Sequence, residues 1–169
     1  KYRESFQAPE AGVLVGDDTP MNLVVVKELL KKTLLQVETA KSGAECLEKI
    51  RQRKYDLIFL DYRMPGLDGV ETLKKMKDLP DLLNAKTPVI ALTANAITGA
   101  RERFLREGFD DYMTKPIDAV KLEEILLMYL PNEKIRKVLP KEDTVEDVVD
   151  SEVVEAYNMG EFAGSKTAL

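Results

Sequence analysis

Histidine and tryptophan are both absent from this 169-residue chain. The lack of histidine excludes a His-dependent triad and a His-bearing metal site. It also excludes a phosphohistidine formed on the chain itself, so a partner would have to supply one. The single cysteine, Cys46, excludes an intrachain disulfide and fits a reducing compartment. With no histidine to activate it, it reads as a small residue on a helix. No apolar run approaches the roughly 20 residues of a membrane span, and no signal peptide is visible, so membrane contact is not expected. Neither charge sign dominates: 25 Lys and Arg stand against 30 Asp and Glu, a net charge of −5. With no Lys/Arg cluster, tracking a phosphate backbone is not expected, and nucleic acid is not a partner. The start at KYRES carries no Met and reads as a linker of a longer protein.

The 44% of hydrophobic residues suffices for a core of ordinary size. Their spacing alternates between short runs and helical periodicity. Strand-like runs fall at 11–16, 36–40, 56–60, 89–92 and 109–113. Pro20 suits the first turn of a helix carrying Leu23, Val26, Leu30 and Leu34 at helical spacing. Ser42 and Glu45 form an S-x-x-E capping signal for a helix to about Arg53, with Ala44, Leu47 and Ile50 on its apolar face. A third helix carries Val70, Leu73 and Met76. A fourth spans Ile97–Glu107 and stops at Gly108. Asp118 caps the last, which carries Leu122, Ile125, Leu126 and Tyr129, and Pro131 closes it. Five β-α repeats predict a three-layer α/β domain with an all-parallel sheet, whose ligand crevice lies at the strand C-terminal ends.

Polar residues follow four of these runs: Asp17-Asp18, Asp61, Thr93 and Lys115. Side by side and parallel, the strands bring three carboxylates, a hydroxyl and an ammonium into one crevice. Close carboxylates repel and call for a cation, and hard oxygen donors with open positions suit Mg²⁺, with Mn²⁺ admitted by the same donors.

Residues 11–130 resemble the receiver domain of two-component response regulators. The resemblance rests on the acidic pair, the D-x-x-M-P-x-x-D-G stretch from Asp61 to Gly69, the L-T-A-N-A stretch from Leu92 to Ala96, and Lys115-Pro116. The wording of LTANA and of GFDDYMTKPID is most similar to receivers of hybrid sensor histidine kinases. The resemblance implies a flavodoxin-like (βα)5 fold with strand order 2-1-3-4-5. It implies that Asp61 accepts a phosphoryl group from a phosphohistidine of a sensor kinase or a histidine phosphotransfer domain. Asp18, Asp61 and the backbone carbonyl of Arg63 would then hold the metal, with Asp17 acting through water. Lys115 and Thr93 would each meet a phosphoryl oxygen, and the Lys115–Pro116 bond would be cis. Thr93 and Tyr112 would form the switch pair, while Arg63 and Asn95 would flank the path of the hydrolytic water. Asp68 reads as a turn or helix N-cap. Receivers often carry Val or Ile where Gly16 stands, and glycine there is expected to loosen the strand end.

Such a protein is a switch first, and an enzyme only in promoting its own phosphorylation and slow dephosphorylation. The implied location is the cytoplasm, as a free protein or as the cytoplasmic part of a membrane-bound hybrid kinase. A homodimer stays open. Two rivals remain: a pseudo-receiver scaffold, and a haloacid-dehalogenase-like phosphatase. The phosphatase wants an acid two residues after the nucleophile, where Arg63 stands. Residues 1–10 read as a lead-in linker. Residues 131–169 read as an acidic tail that is partly disordered, with one short helix through Val145, Val148, Val149 and Val153.

Overall fold

The structure is a computed structural model and describes residues 5–79 and 83–138. Five parallel strands form the central sheet: β2 (Gly12–Gly16), β3 (Gln36–Ala40), β4 (Leu57–Asp61), β5 (Val89–Thr93) and β6 (Asp111–Thr114). Their order is β3-β2-β4-β5-β6, which is 2-1-3-4-5 when only these five are counted. The reversal of direction at β2 places the crevice between β2 and β4. Side-chain alternation sorts the core. Val13, Val15, Leu57 and Phe59 pack with α1 (Pro20–Leu30) and α5 (Ala119–Tyr129) on one face. Leu14, Ile58 and Leu60 pack with α2 (Gly43–Gln52), α3 (Gly69–Lys77) and α4 (Ala100–Glu107) on the other. All five residues of β2, β4 and β5 are buried, as strands covered on both faces require.

Caps set the helix starts. Ser42 accepts from the Glu45 amide, while Glu45 reaches back to the Lys41 amide. Asp68 and Glu71 form a full capping box at α3. Asp118 accepts from the Lys121 amide at α5. Two helix limits differ from the sequence reading. The first helix ends in a 3-10 turn at Lys31–Thr33, and Leu34 takes φ 62° with its side chain exposed. Leu35 is buried in its place, because Thr33 bonds Leu30's carbonyl and the Leu35 amide and so turns the chain. The fourth helix begins at Ala100, since Gly99 at φ 85° breaks helical geometry, and Ile97 lies exposed.

Gly16 leaves no hole. A Cβ built there would collide with the Cys46 thiol of α2 and meet Leu60 Cδ1 at 3.3 Å. The expected loosening of this strand end therefore finds no void to support it. Beyond the central sheet, β1 (Ser5–Gln7) pairs antiparallel with β7 (Arg136–Val138). Boundaries at residues 11 and 130 omit this ribbon, whose two short segments lack period-2 patterning long enough to read. The helix expected within the acidic tail lies outside the described residues.

Candidate functional site

Three strand ends and one loop supply the crevice. Asp17 leaves β2, its amide donating to Ala40 O at 3.0 Å. It is fully buried, and both its oxygens are engaged. Oδ1 accepts from the Thr19 amide at 2.9 Å, and Oδ2 accepts from Asn22 Nδ2 at 3.1 Å. Asp61 closes β4 and is also buried. Lys115 Nζ bridges the two, 3.0 Å from Asp17 Oδ2 and 3.0 Å from Asp61 Oδ2. Asp18 is the member of the acidic group most open to solvent. One carboxylate oxygen from each of Asp17, Asp18 and Asp61 lies within 4.8 Å of the others, a spacing that one cation can span.

The electrostatics follow from burial. Removal from water pushes the Asp61 carboxyl up to about 6; Asp17's charge adds to this, and Lys115's hydrogen bond and charge oppose it. For Lys115, burial disfavours the charge, but hydrogen bonds and charges from Asp17 and Asp61 outweigh it and hold the ammonium above its ordinary value. Among the described residues, Lys115 pairs with two of the three clustered carboxylates. The remaining negative charge, with oxygen-only donors, suits a hard divalent ion.

The segment after β4 is placed by a close approach. A Cβ on Gly69 would lie 2.6 Å from the Asp61 carbonyl oxygen and 3.0 Å from Tyr62 Cα. Only glycine lets the start of α3 sit against this strand end, where the Gly69 amide donates to Tyr62 O at 3.0 Å. Between them, Arg63 is exposed, and its amide stands 3.4 Å from Asp61 Oδ1.

Thr93 is buried at the end of β5, but its hydroxyl is turned to its own loop. It donates to Asn95 O at 2.9 Å and accepts from the Asn95 amide at 3.3 Å. The Asn95 side chain is exposed. Tyr112 is half-buried, its ring 5.3 Å from that of Phe104 on α4. The Lys115–Pro116 bond is cis. Thus Asp17, Asp18, Asp61 and Lys115 converge directly, while the Thr93 hydroxyl is bonded within its own loop and the Tyr112 ring packs on Phe104.

Two residues beyond those read from sequence join the site's surroundings. Asn22, in the first turn of α1, orients Asp17; its signal was an amide side chain five positions after the first acid. Tyr62 follows the nucleophile candidate and holds α4. Its ring packs on Phe104 at 5.0 Å, and its hydroxyl accepts from Arg103 and donates to Glu107. A tyrosine after a strand carried no such signal, because both partners are more than 40 residues away in sequence.

Residues 13–127 match the response regulator receiver domain. The chain belongs to that family. This receiver is 38% identical over 131 residues to the signal transduction histidine-protein kinase BarA of Escherichia coli K12, covering 76% of this chain and 14% of the relative. It is 33% identical over 126 residues to the sensor protein GacS of Pseudomonas syringae, covering 74% and 14%. The matched region is thus a small part of these longer kinases. Among solved structures it is similar to the receiver domain of sensor histidine kinase PA1611 from Pseudomonas aeruginosa, determined with a magnesium ion in the active site cleft. That match has TM-score 0.63 and 31% identity, and covers 70% of this chain and 96% of the other. It also resembles a chain in the co-crystal of the Saccharomyces cerevisiae phosphotransfer protein Ypd1 with the Ssk1 receiver domain. Here the TM-score is 0.68 and the identity 25%, over 75% and 92% of the two chains. No helix among the described residues is long and apolar enough to cross a membrane.

Proposed function

We propose that this receiver accepts a phosphoryl group on Asp61 from a phosphohistidine of a sensor kinase or a histidine phosphotransfer domain. The observation that carries this reading is Lys115 Nζ at 3.0 Å from both Asp17 and Asp61, with Asp18 in the same acidic cluster. An Asp61 oxygen attacks the phosphorus, the new P–O bond forms as the P–N bond breaks, and the imidazole leaves with its electron pair and takes up a proton. Lys115 neutralises charge on one phosphoryl oxygen. Thr93 meets another once its hydroxyl leaves the Asn95 carbonyl, and Tyr112 follows that movement.

Asp18, Asp61 and the Arg63 carbonyl would hold Mg²⁺, which supplies charge neutralisation at the transferring group. Asp17 suits a role through water, because its oxygens are already taken by Thr19, Asn22 and Lys115. Arg63 and Asn95, exposed on the two loops flanking the crevice, would tune the loss of the phosphoryl group by water. The phosphatase alternative lacks its second acid at Arg63, and the scaffold alternative leaves an assembled acid–lysine cluster without a purpose. Location as the cytoplasmic part of a hybrid kinase, and the boundaries of the receiver as 11–130, belong to the same proposal.

Phosphotransfer tests it. A radiolabelled histidine phosphotransfer domain, mixed with this protein and Mg²⁺, should pass label to the receiver within minutes, and chelation should stop the transfer. Label that never leaves the donor across a panel of such domains and sensor kinases, with Mg²⁺ present, would contradict the reading.

A further inference from the structure

The β1–β7 ribbon lies outside residues 13–127, so it is an addition to the receiver. Three paired residues on each side are too few to stand alone, since even longer two-stranded hairpins are marginal in water. What holds the ribbon is its anchorage at the N-terminal ends of the parallel strands. On its entering side, Phe6 and Ala8 are buried in the core cluster beneath α1 and α5. The Ala8 amide donates to Thr33 O at 2.7 Å, and Gln36 Nε2 donates to Pro9 O at 2.9 Å. On its leaving side, Ile135 packs against the same cluster. Lys134 Nζ donates to both oxygens of Asp56 at 3.0 Å.

Asp56 is the joint. It immediately precedes β4, its amide donates to Gly12 O at 2.8 Å, and its Oδ2 accepts from the Gly12 amide at 2.9 Å. The roots of β2 and β4 and the segment after α5 therefore meet on one carboxylate, whose side chain is only 10% exposed. The far ends of the same two strands carry Asp17 and Asp61. At about 3.3 Å per residue, the two ends of each strand lie roughly 15 Å apart. The register pairs Ser5 with Val138, Phe6 with Lys137 and Gln7 with Arg136. In this antiparallel arrangement the chain enters at Ser5 and leaves at Val138 from the same end of the ribbon.

We propose that the ribbon is a strap that mounts the receiver on its own chain. It ties both connections to the base of the sheet and sends them out side by side, leaving the carboxylate crevice at the opposite end. The partner of the strap is the domain's own base, and the partner left free to reach the crevice is the incoming phosphohistidine module. That last clause rests on the function proposed above.

Cysteine trapping in the full chain tests the strap. Cross-strand neighbours fall within the Cα separation a disulfide requires, and residues two positions out of register fall outside it. Gln7→Cys with Arg136→Cys is in register, and Gln7→Cys with Val138→Cys is offset by two. Cys46 is buried with its thiol pushed up to about 12, so it does not compete. Under mild oxidation the in-register pair should close at least tenfold faster than the offset pair. Adding Lys134→Ala should shrink that difference several-fold. Equal rates for the two pairs, or a difference untouched by Lys134→Ala, would overturn the proposal. Phosphorylation by acetyl phosphate, followed in the same variants, should stay within twofold of the parent, because none of the substituted residues reaches the crevice. Failure of phosphorylation in the parent alongside register-selective trapping would count against the receiver function and leave the strap standing.

Discussion

Each carboxylate of the crevice has a distinct environment, and the differences predict distinct phenotypes. Asp17 is fully buried and holds the Thr19 amide, Asn22 and Lys115; Asp18 lies open. Asp18→Ala should therefore weaken Mg²⁺ binding, followed by calorimetry, more than Asp17→Ala does. Asp17→Ala should also lower the unfolding midpoint, since it removes one of Lys115's two carboxylate partners and takes the acceptor from the Thr19 amide and the Asn22 side chain. Lys115→Ala should leave Mg²⁺ binding intact or tighter while impairing phosphorylation. Equal loss of metal affinity in both aspartate variants would remove the distinction.

Asp61 adds a pH dependence whose sign is fixed. Its carboxyl is raised from an ordinary 3.8 to about 6 in the metal-free protein, by burial first and by Asp17 second. The stability it contributes is complete below the ordinary value and is lost as pH rises through about 6. The metal-free protein should lose stability over that window relative to Asp61→Asn, which has nothing there to ionise. Mg²⁺ should abolish the loss, and its affinity should fall as pH drops below about 6, because Asp61 must shed a proton to bind it. Matching thermal midpoints for the two proteins across pH 4 to 7 without metal would contradict this.

At the scale of elements, the crevice depends on how closely α3 and α2 approach the sheet. Gly69 has no room for a Cβ against the backbone of Asp61 and Tyr62. Gly69→Ala should destabilise by about 1–3 kcal/mol, the usual cost of overpacking, and reduce Mg²⁺ affinity by moving the strand end that carries Asp61. Denaturant midpoints together with calorimetry check both effects; unchanged values for both would show that α3 can retreat freely. These approaches also mark where the sequence could be read and where it could not. Capping residues Ser42, Asp68 and Asp118 announce helix starts because the bond they make is local. The buried strands and their order follow from apolar runs and from the receiver motifs. Leu34 misled, since its spacing continues a helix that the Thr33 hydroxyl ends by turning the chain. Gly16 read as a loss of core, because the thiol that fills its place comes from Cys46, thirty residues on. The Tyr62 contacts to Arg103 and Glu107 likewise depend on the packing of β4 against α4.

At the scale of the molecule, the two ends of the sheet divide the work. One end gathers Asp17, Asp18, Asp61 and Lys115; the other gathers Asp56, Lys134 and the β1–β7 ribbon. The polar ends of the strands were legible because their residue types are unusual after apolar runs. The ribbon was not, because three-residue strands in linkers carry no periodicity and pair only through the fold. The central claim, that Asp61 is the phospho-acceptor of a metal-dependent site, is tested most directly by intact mass. Incubated with acetyl phosphate and Mg²⁺, the protein should gain one phosphoryl group that hydroxylamine removes and chelation prevents, and Asp61→Asn should gain none. Stoichiometric phosphorylation of a folded Asp61→Asn variant, or equal labelling of the parent without divalent metal, would contradict the account.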